Sequence, residues 1–304
     1  MTVLPSHMRR PRLLIAGCGD VGLRVARLLL PRWRVLALAR SGASAARLRA
    51  TGVVPVAADL DEPVSLMRVA GLASHVLYLA PPRSGDAADV RSRALLQALA
   101  RRTPPQVLVY VSTSGVYGDT GGARTDETRV PQPQTARARV RQLAERRLRK
   151  GGRGVGICVS VFRVAGIYAP DRPGGTPRKS LLAGAPVLAA GDDGYVNHIH
   201  ADDLARALAL ALWRAAPQRV YNVCDDSELT FGQYMDEAAD LYALPRPPRV
   251  LRSEAAAHMS AARLSFLAQS RRLDNRRLRA EIGLKLRHPH PRSGLQAEPL
   301  APCP

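Results

Sequence analysis

Apolar residues along this chain gather in short unbroken runs, and between the runs they recur every three or four positions. RLLIAG (Arg12 to Gly17) predicts a buried strand, and VGLRVARLLL (Val21 to Leu30) predicts the helix that follows it. WRVLALAR (Trp33 to Arg40), VVPVAADL (Val53 to Leu60) and HVLYLAPP (His75 to Pro82) predict the second, third and fourth strands, with ARLRATG as a short helix between the first two of these. VRSRALLQALARR reads as a helix and QVLVYVSTSGVYGD as a fifth strand with its loop. ARVRQLAERRLRK then reads as a helix and GVGICVSVFRVAGIYAP as the next strand. Strand and helix alternating at short intervals predict an α/β architecture, a doubly wound parallel sheet covered on both faces.

After Tyr168 the rhythm loosens. DRPGGTPRKS is rich in turn residues, VYNVCDD is a short strand, and a helix is expected from about Phe231 to Leu244. This division predicts a nucleotide-binding domain over 10–168 and a smaller C-terminal α/β lobe over 169–290, some of whose segments return to the sheet. A tail over 291–304 is expected to be disordered from Ser293 onward, because SGLQAEPLAPCP has little periodicity.

Composition narrows the classes. The four cysteines, Cys18, Cys158, Cys224 and Cys303, form no CxxC pair, which argues against a zinc site or a disulfide framework and fits a reducing cytoplasm. MTVLPSHMRRPRLLIAG lacks the apolar core of a signal peptide, and no uncharged apolar run is long enough to span a bilayer, so a soluble protein is expected. The net charge of +20 steers anions inward. It does not predict specific nucleic-acid binding, because the excess arginine is scattered, aromatic residues make up 4% and no nucleic-acid motif accompanies it.

One motif carries chemistry. Gly17, Gly19 and Gly22 form GCGDVG between a predicted strand and a predicted helix. The first glycine permits the tight turn, the second lets a pyrophosphate approach the backbone, and the third admits close packing of helix on sheet, so the segment predicts a Rossmann-like dinucleotide site that includes Asp20 and Val21. Asp20 is also read as a helix cap. An acid that binds the ribose of NAD is expected roughly twenty residues on, and the sequence there offers Arg40 and Ser41 instead. A guanidinium pairs with a 2′-phosphate, so NADP is expected, with NAD as the alternative. Asp59 ends the third strand, within reach of an adenine edge or as the cap of a following helix.

With Ala58-Asp59-Leu60, Leu79-Ala80-Pro81, VYVSTSGVYGD, FRVAGIYAP and HIHADDLARA following the glycine loop in this order, the chain resembles the extended short-chain dehydrogenase/reductases of the NAD-dependent epimerase/dehydratase kind. The resemblance extends from about Arg12 to Leu295 and places Asp59, Leu60, Ala80 and Pro81 beside the dinucleotide. In that family a Ser or Thr, a Tyr and a Lys do the chemistry, and Thr113 matches the hydroxyl place, although it also suits a polar strand-end loop. If Glu145 stands for the glutamate four residues past the family lysine, Arg137 stands at the tyrosine place and Arg141 at the lysine place, where it would hold the nicotinamide ribose. A register shifted by two gives Thr135 and Arg139. Neither register contains a tyrosine, and an arginine does not shuttle protons near neutral pH. Tyr168, in GIYAP, matches a family position lining the substrate cleft and is the candidate for acid-base work.

His200, Asp202 and Asp203 match an HxDD element that in the family ties lobe backbone to sheet; with His198 they make a poor metal set for want of a third ligand. Arg163, Arg172 and Arg178 are candidates to surround a polar or anionic ligand. The resemblance therefore implies an oxidoreductase or epimerase relative acting on a small polar metabolite. The alternative is a catalytically silent dinucleotide-binding sensor or partner-binding protein. A monomer and a homodimer are both open, because the helix the family uses for dimerisation carries Arg137, Arg139, Arg141, Arg146, Arg147, Arg149 and Lys150.

Overall fold

The structure is a computed structural model that describes residues 10–83, 85 and 88–296. Cys303, the remainder of the expected tail and the amino-terminal nonapeptide lie outside the described residues. Seven parallel strands form the central sheet: β1 (Arg12–Ala16), β2 (Arg34–Ala39), β3 (Val54–Ala57), β4 (His75–Tyr78), β5 (Val107–Thr113), β6 (Cys158–Val164) and β7 (Val220–Val223). Their order across the sheet is β7-β6-β5-β4-β1-β2-β3, with Leu13 opposite both Val35 and His75. The chain reverses its winding between β1 and β4, and in open parallel sheets the crevice at such a reversal is where ligands bind.

Two hydrophobic layers sandwich the sheet. One contains Leu13, Ile15, Val109 and Phe162 from the strands, with Val25 and Leu29 of helix α1 (Asp20–Leu29) and Leu48 of α2 (Gly42–Ala50). The other packs Leu14, Val76, Tyr110 and Val161 against Leu95 and Leu99 of α3 (Val90–Leu99) and Leu148 of α4 (Ala136–Gly154). Strands buried on both faces explain why they read as continuous apolar runs. Helix α5 (Ala201–Arg214) joins the first layer beside α1 through Leu204, Leu208 and Leu212.

The segment expected to be one strand through Pro170 is two. At Ala165 the backbone amide still bonds the carbonyl of Val223, and the next amide, Gly166, bonds the carbonyl of Asn197. The chain thus leaves the main sheet, and Gly166–Tyr168 pairs in parallel with His198–His200 in a separate two-stranded sheet.

A smaller hydrophobic cluster contains Tyr168, Val187, Val196 and Met235, the last from helix α6 (Phe231–Leu241). The start of the expected disordered tail belongs to this cluster. Pro291–Leu295 is a helical turn whose Leu295 is 6% exposed, and Gly294 faces Tyr168 so closely that a Cβ there would lie 2.3 Å from the phenolic oxygen. Periodicity missed it because one helical turn is too short to display any.

Candidate functional site

At the carboxyl ends of β1 and β4 lies a cleft of about 500 Å³. Its floor is the glycine loop. Gly17 turns there with φ +95°, and a Cβ on it would fall 2.5 Å from the amide nitrogen of Ala80, so both the conformation and the contact exclude a side chain. A Cβ on Gly19 would meet nothing within 4 Å, which leaves the backbone open from the cleft side. At Gly22 the added carbon would press on Cys18, Leu79 and Ile15, at 3.2 to 3.4 Å. Gly19 is also the N-cap of α1 and provides no side-chain cap, so the leading amides of the helix are available to an anion. This cradle fits the pyrophosphate of a dinucleotide.

Of the positions expected to contact cofactor, Gly17, Gly19, Asp20, Val21, Gly22, Arg40, Asp59, Leu60, Ala80 and Pro81 line this one cleft. Ser41 does not. Its hydroxyl caps α2 by accepting the amide of Ser44 at 3.2 Å, while Ser44 and Arg47, one and two turns along the helix, reach the cleft beside Arg40. Arg40 and Arg47 are exposed and make no ion pair among the described residues, so two free cations stand near the end of β2. Asp20 is not a helix cap; its carboxylate receives Arg24 at 3.2 Å and Arg172 at 3.1 Å. Asp59 accepts the amide of Asp61 at 3.0 Å, and its own amide donates to Ser65 at 2.8 Å, which fixes the loop after β3. Arg91 grips Asp61 through two nitrogens and the carbonyl of Pro81 through a third, tying the rims of the cleft together; the pairing holds the Asp61 carboxyl below its ordinary range.

Of the residues expected to meet a substrate or the nicotinamide ribose, Arg172 lines the cleft and the others lie elsewhere. Arg141 is 6% exposed and lies behind the cleft wall, its Nη1 donating to the carbonyl of Val111, with Nε unpartnered. One turn on, Glu145 accepts Ser112 Oγ at 2.6 Å and Arg163 Nη2 at 2.7 Å, so Arg163 is part of the protein interior and not of a ligand site. Arg137 is exposed on α4, and Thr135 is spent as the helix cap, accepting the amide of Ala138. Thr113 ends β5 and its hydroxyl accepts the amide of Gly115 at 3.2 Å. Arg178 stacks on Tyr242.

Tyr168 and Tyr117 are engaged within the protein. Tyr168 is 2% exposed, its hydroxyl is 3.5 Å from the carbonyl of His290, and burial raises its pKa far above the ordinary phenol value. Tyr117 donates to Asn222 Oδ1 at 2.7 Å and is pushed up to about 12 by burial. His200 caps α5 through Nδ1, and Asp203 accepts the amides of Arg287 and His288, so the HADD element holds lobe backbone. Among the described residues no three His, Cys, Asp or Glu side chains could hold a metal ion, and no helix is long and apolar enough to cross a membrane.

Sequence reasoning missed Leu38, Ser44, Arg47, Arg91, Val111, Ile167 and Leu204 as cleft residues, whereas Arg172, expected near a polar or anionic ligand, does line the cleft. A signal existed for two of them, since Ser44 and Arg47 are three residues apart just past the strand end, on one helical face.

Comparison with known proteins bears on the family and the fold. The chain is 26% identical over 293 residues to protein YeeZ of Escherichia coli K12, covering 92% of this chain and 97% of that one. A solved structure of a functionally unknown conserved protein from Silicibacter pomeroyi is 32% identical, with a TM-score of 0.77 and coverage of 94% and 97%. UDP-glucose 4-epimerase of Thermotoga maritima, solved with UDP-glucose, shares the fold at 17% identity, with a TM-score of 0.76 and coverage of 94% and 96%. The family model for the NAD dependent epimerase/dehydratase family matches residues 13–224, and the chain belongs to that family.

Proposed function

We propose that this chain binds NADP in preference to NAD and holds it without the phenol proton relay on which the chemistry of its family rests. The observation that carries this reading is the make-up of the cleft. A glycine cradle and the cations Arg40 and Arg47 line it, and among the described residues no tyrosine, histidine or lysine does. The cradle would hold the pyrophosphate, Asp59 and Leu60 the adenine side, and Arg40 with Arg47 the 2′-phosphate. When bound, the nicotinamide supplies or accepts a hydride. Among the described residues no phenol or imidazole on the cleft wall is placed to exchange the accompanying proton: Tyr117 and Tyr168 are engaged elsewhere, and Thr113, whose hydroxyl accepts the amide of Gly115, lies outside the lining. A protein whose conformation or partner follows cofactor occupancy fits this arrangement.

A second reading is an oxidoreductase or epimerase acting on a small polar metabolite. It is favoured by Thr113, which stands at the end of β5 at the place of the family hydroxyl. Titration of the full chain with NADPH and NADH, followed by a screen of small alcohols and carbonyl compounds for cofactor oxidation or reduction, separates the two. Tight NADPH binding with no turnover supports the first; turnover of any such compound above the rate without protein replaces it with the second.

A further inference from the structure

Helix α1 and the turn after Tyr168 exchange ion pairs in a crossed arrangement. Arg24 of the helix reaches Asp171 of the turn at 2.6 Å, and Arg172 of the turn reaches Asp20 of the helix at 3.1 Å. Each of the three guanidinium nitrogens of Arg24 is engaged. Nε serves Asp20, Nη1 serves Asp202 at 2.5 Å and Nη2 serves Asp171, and the side chain is 7% exposed. Arg172 is different. Only Nη1 is engaged, the side chain is 29% exposed, and the residue lines the same cleft as Gly17 and Gly19. Its backbone is fixed by a compact turn in which Arg172 donates its amide to Ala169 and accepts that of Gly175, where a Cβ would lie 2.8 Å from the Cβ of Arg172.

The charges at this point need an explanation. Asp20 is in the first turn of α1 and lines the cleft immediately after Gly19, at the helix end where an incoming anion must settle. A carboxylate there is stabilised by the helix dipole and opposes a second anion. Arg24 and Arg172 offset it, and of these only Arg172 is open to the cleft with two guanidinium nitrogens unengaged.

We propose that Arg172 is a ligand of the dinucleotide pyrophosphate, contributed from beyond the sheet and kept at the rim by Asp20 until the anion arrives. This rests on the dinucleotide-binding reading above. A pyrophosphate oxygen outcompetes a single contact to Asp20 because the guanidinium can then use its two unengaged donor groups on it. Since the turn that carries Arg172 also sends Asp171 to Arg24, filling the cleft fixes that turn against α1.

The test is a binding titration of the full chain with NADPH and NADH and, by displacement, with adenosine 2′-monophosphate, which lacks a pyrophosphate. Arg172→Ala is expected to weaken NADPH and NADH by the same factor, about tenfold or more, and to leave adenosine 2′-monophosphate unchanged. Arg172→Lys should recover part of the loss, and Asp20→Asn should bind NADPH at least as tightly as the unaltered chain. Arg178→Ala, which removes a neighbouring cation outside the cleft, should bind normally. Unchanged NADPH affinity in Arg172→Ala overturns the proposal, as does an equal loss in Arg178→Ala, which would mean general charge attraction. Failure of the unaltered chain to bind either dinucleotide overturns the reading beneath it, and the proposal with it.

Discussion

Glu145 and Arg163 form an ion pair with Nη2 to Oε2 at 2.7 Å, and the two side chains are only 4% and 5% exposed. Such a pair stabilises little over an apolar pair of the same shape, yet losing one member strands the other as a buried charge. Glu145→Ala is expected to cost about 3 to 5 kcal/mol, read as a lowered urea midpoint, and Glu145→Met with Arg163→Met should recover most of it. A loss below about 1 kcal/mol, the range of a surface pair, would mean that water reaches the site.

Gly17 and Gly19 should separate folding from binding. Gly17→Ala drives a methyl group into Ala80 at a backbone angle that L side chains rarely adopt, so the melting temperature should fall steeply. Gly19→Ala meets open space in the protein and should melt nearly as the unaltered chain does, while dinucleotide affinity drops by at least tenfold because the methyl group fills the approach to the backbone. Equal NADPH affinity in Gly19→Ala would show that the pyrophosphate does not lie over this residue.

Arg40→Ala and Arg47→Ala should each weaken NADPH by about tenfold, the value of a charge-assisted hydrogen bond, and leave NADH nearly unaffected. The ratio of the two dissociation constants is the readout, since it cancels any general change in the cleft. A ratio unmoved in both variants would remove the basis for NADP preference.

Stability should pass through a maximum near pH 6.5. Burial lowers His198 to about 3 and His200 to about 4, so below their ordinary value of 6.5 the unfolded chain binds protons that the folded chain refuses, and stability falls on acidification. Burial raises Asp225 to about 8, so above its ordinary range the folded chain keeps a proton that the unfolded chain releases, and stability declines as pH climbs toward 8. Between about pH 4 and 6.5 the buried histidines, His75 among them, outweigh Asp225 and Glu127, whose carboxyls burial raises; above that Asp225 dominates. Asp225→Asn should flatten the alkaline side of the profile, measured as melting temperature across a buffer series. A decline that persists in this variant would assign it to another group.

What could be read from the chain followed from what the sequence encodes directly. Buried strands such as Leu13 to Ala16 and Leu108 to Val111 are apolar throughout, so their existence and order were legible, as was the glycine loop between β1 and α1. Hydrophobicity reports burial and not partner, which is why the transfer at Ala165 from the main sheet to the small one was invisible. Cleft residues that converge from separate segments were harder still. Arg91 arrives from α3 with no spacing relative to Gly17 that would announce it, and Arg172, from the turn beyond Tyr168, was legible as a ligand candidate but not as a neighbour of the glycine loop. Conversely, Tyr168 and Arg141 matched family positions, but the carbonyls of His290 and Val111 gave their polar atoms other work.

If the proposed dinucleotide fills the cleft, the uncapped start of α1 at Gly19 ties the fold's abundance to metabolite supply. Most helices complete their first turn from within the chain, whereas here an external anion would complete it, one that the unfolded chain cannot bind. By mass action a ligand at a hundred times its dissociation constant adds about 2.7 kcal/mol to the folded state, a large share of the margin by which a typical domain stays folded. A cell that runs short of the dinucleotide would then carry less of this protein, because more of the chain would be open to proteases at any moment.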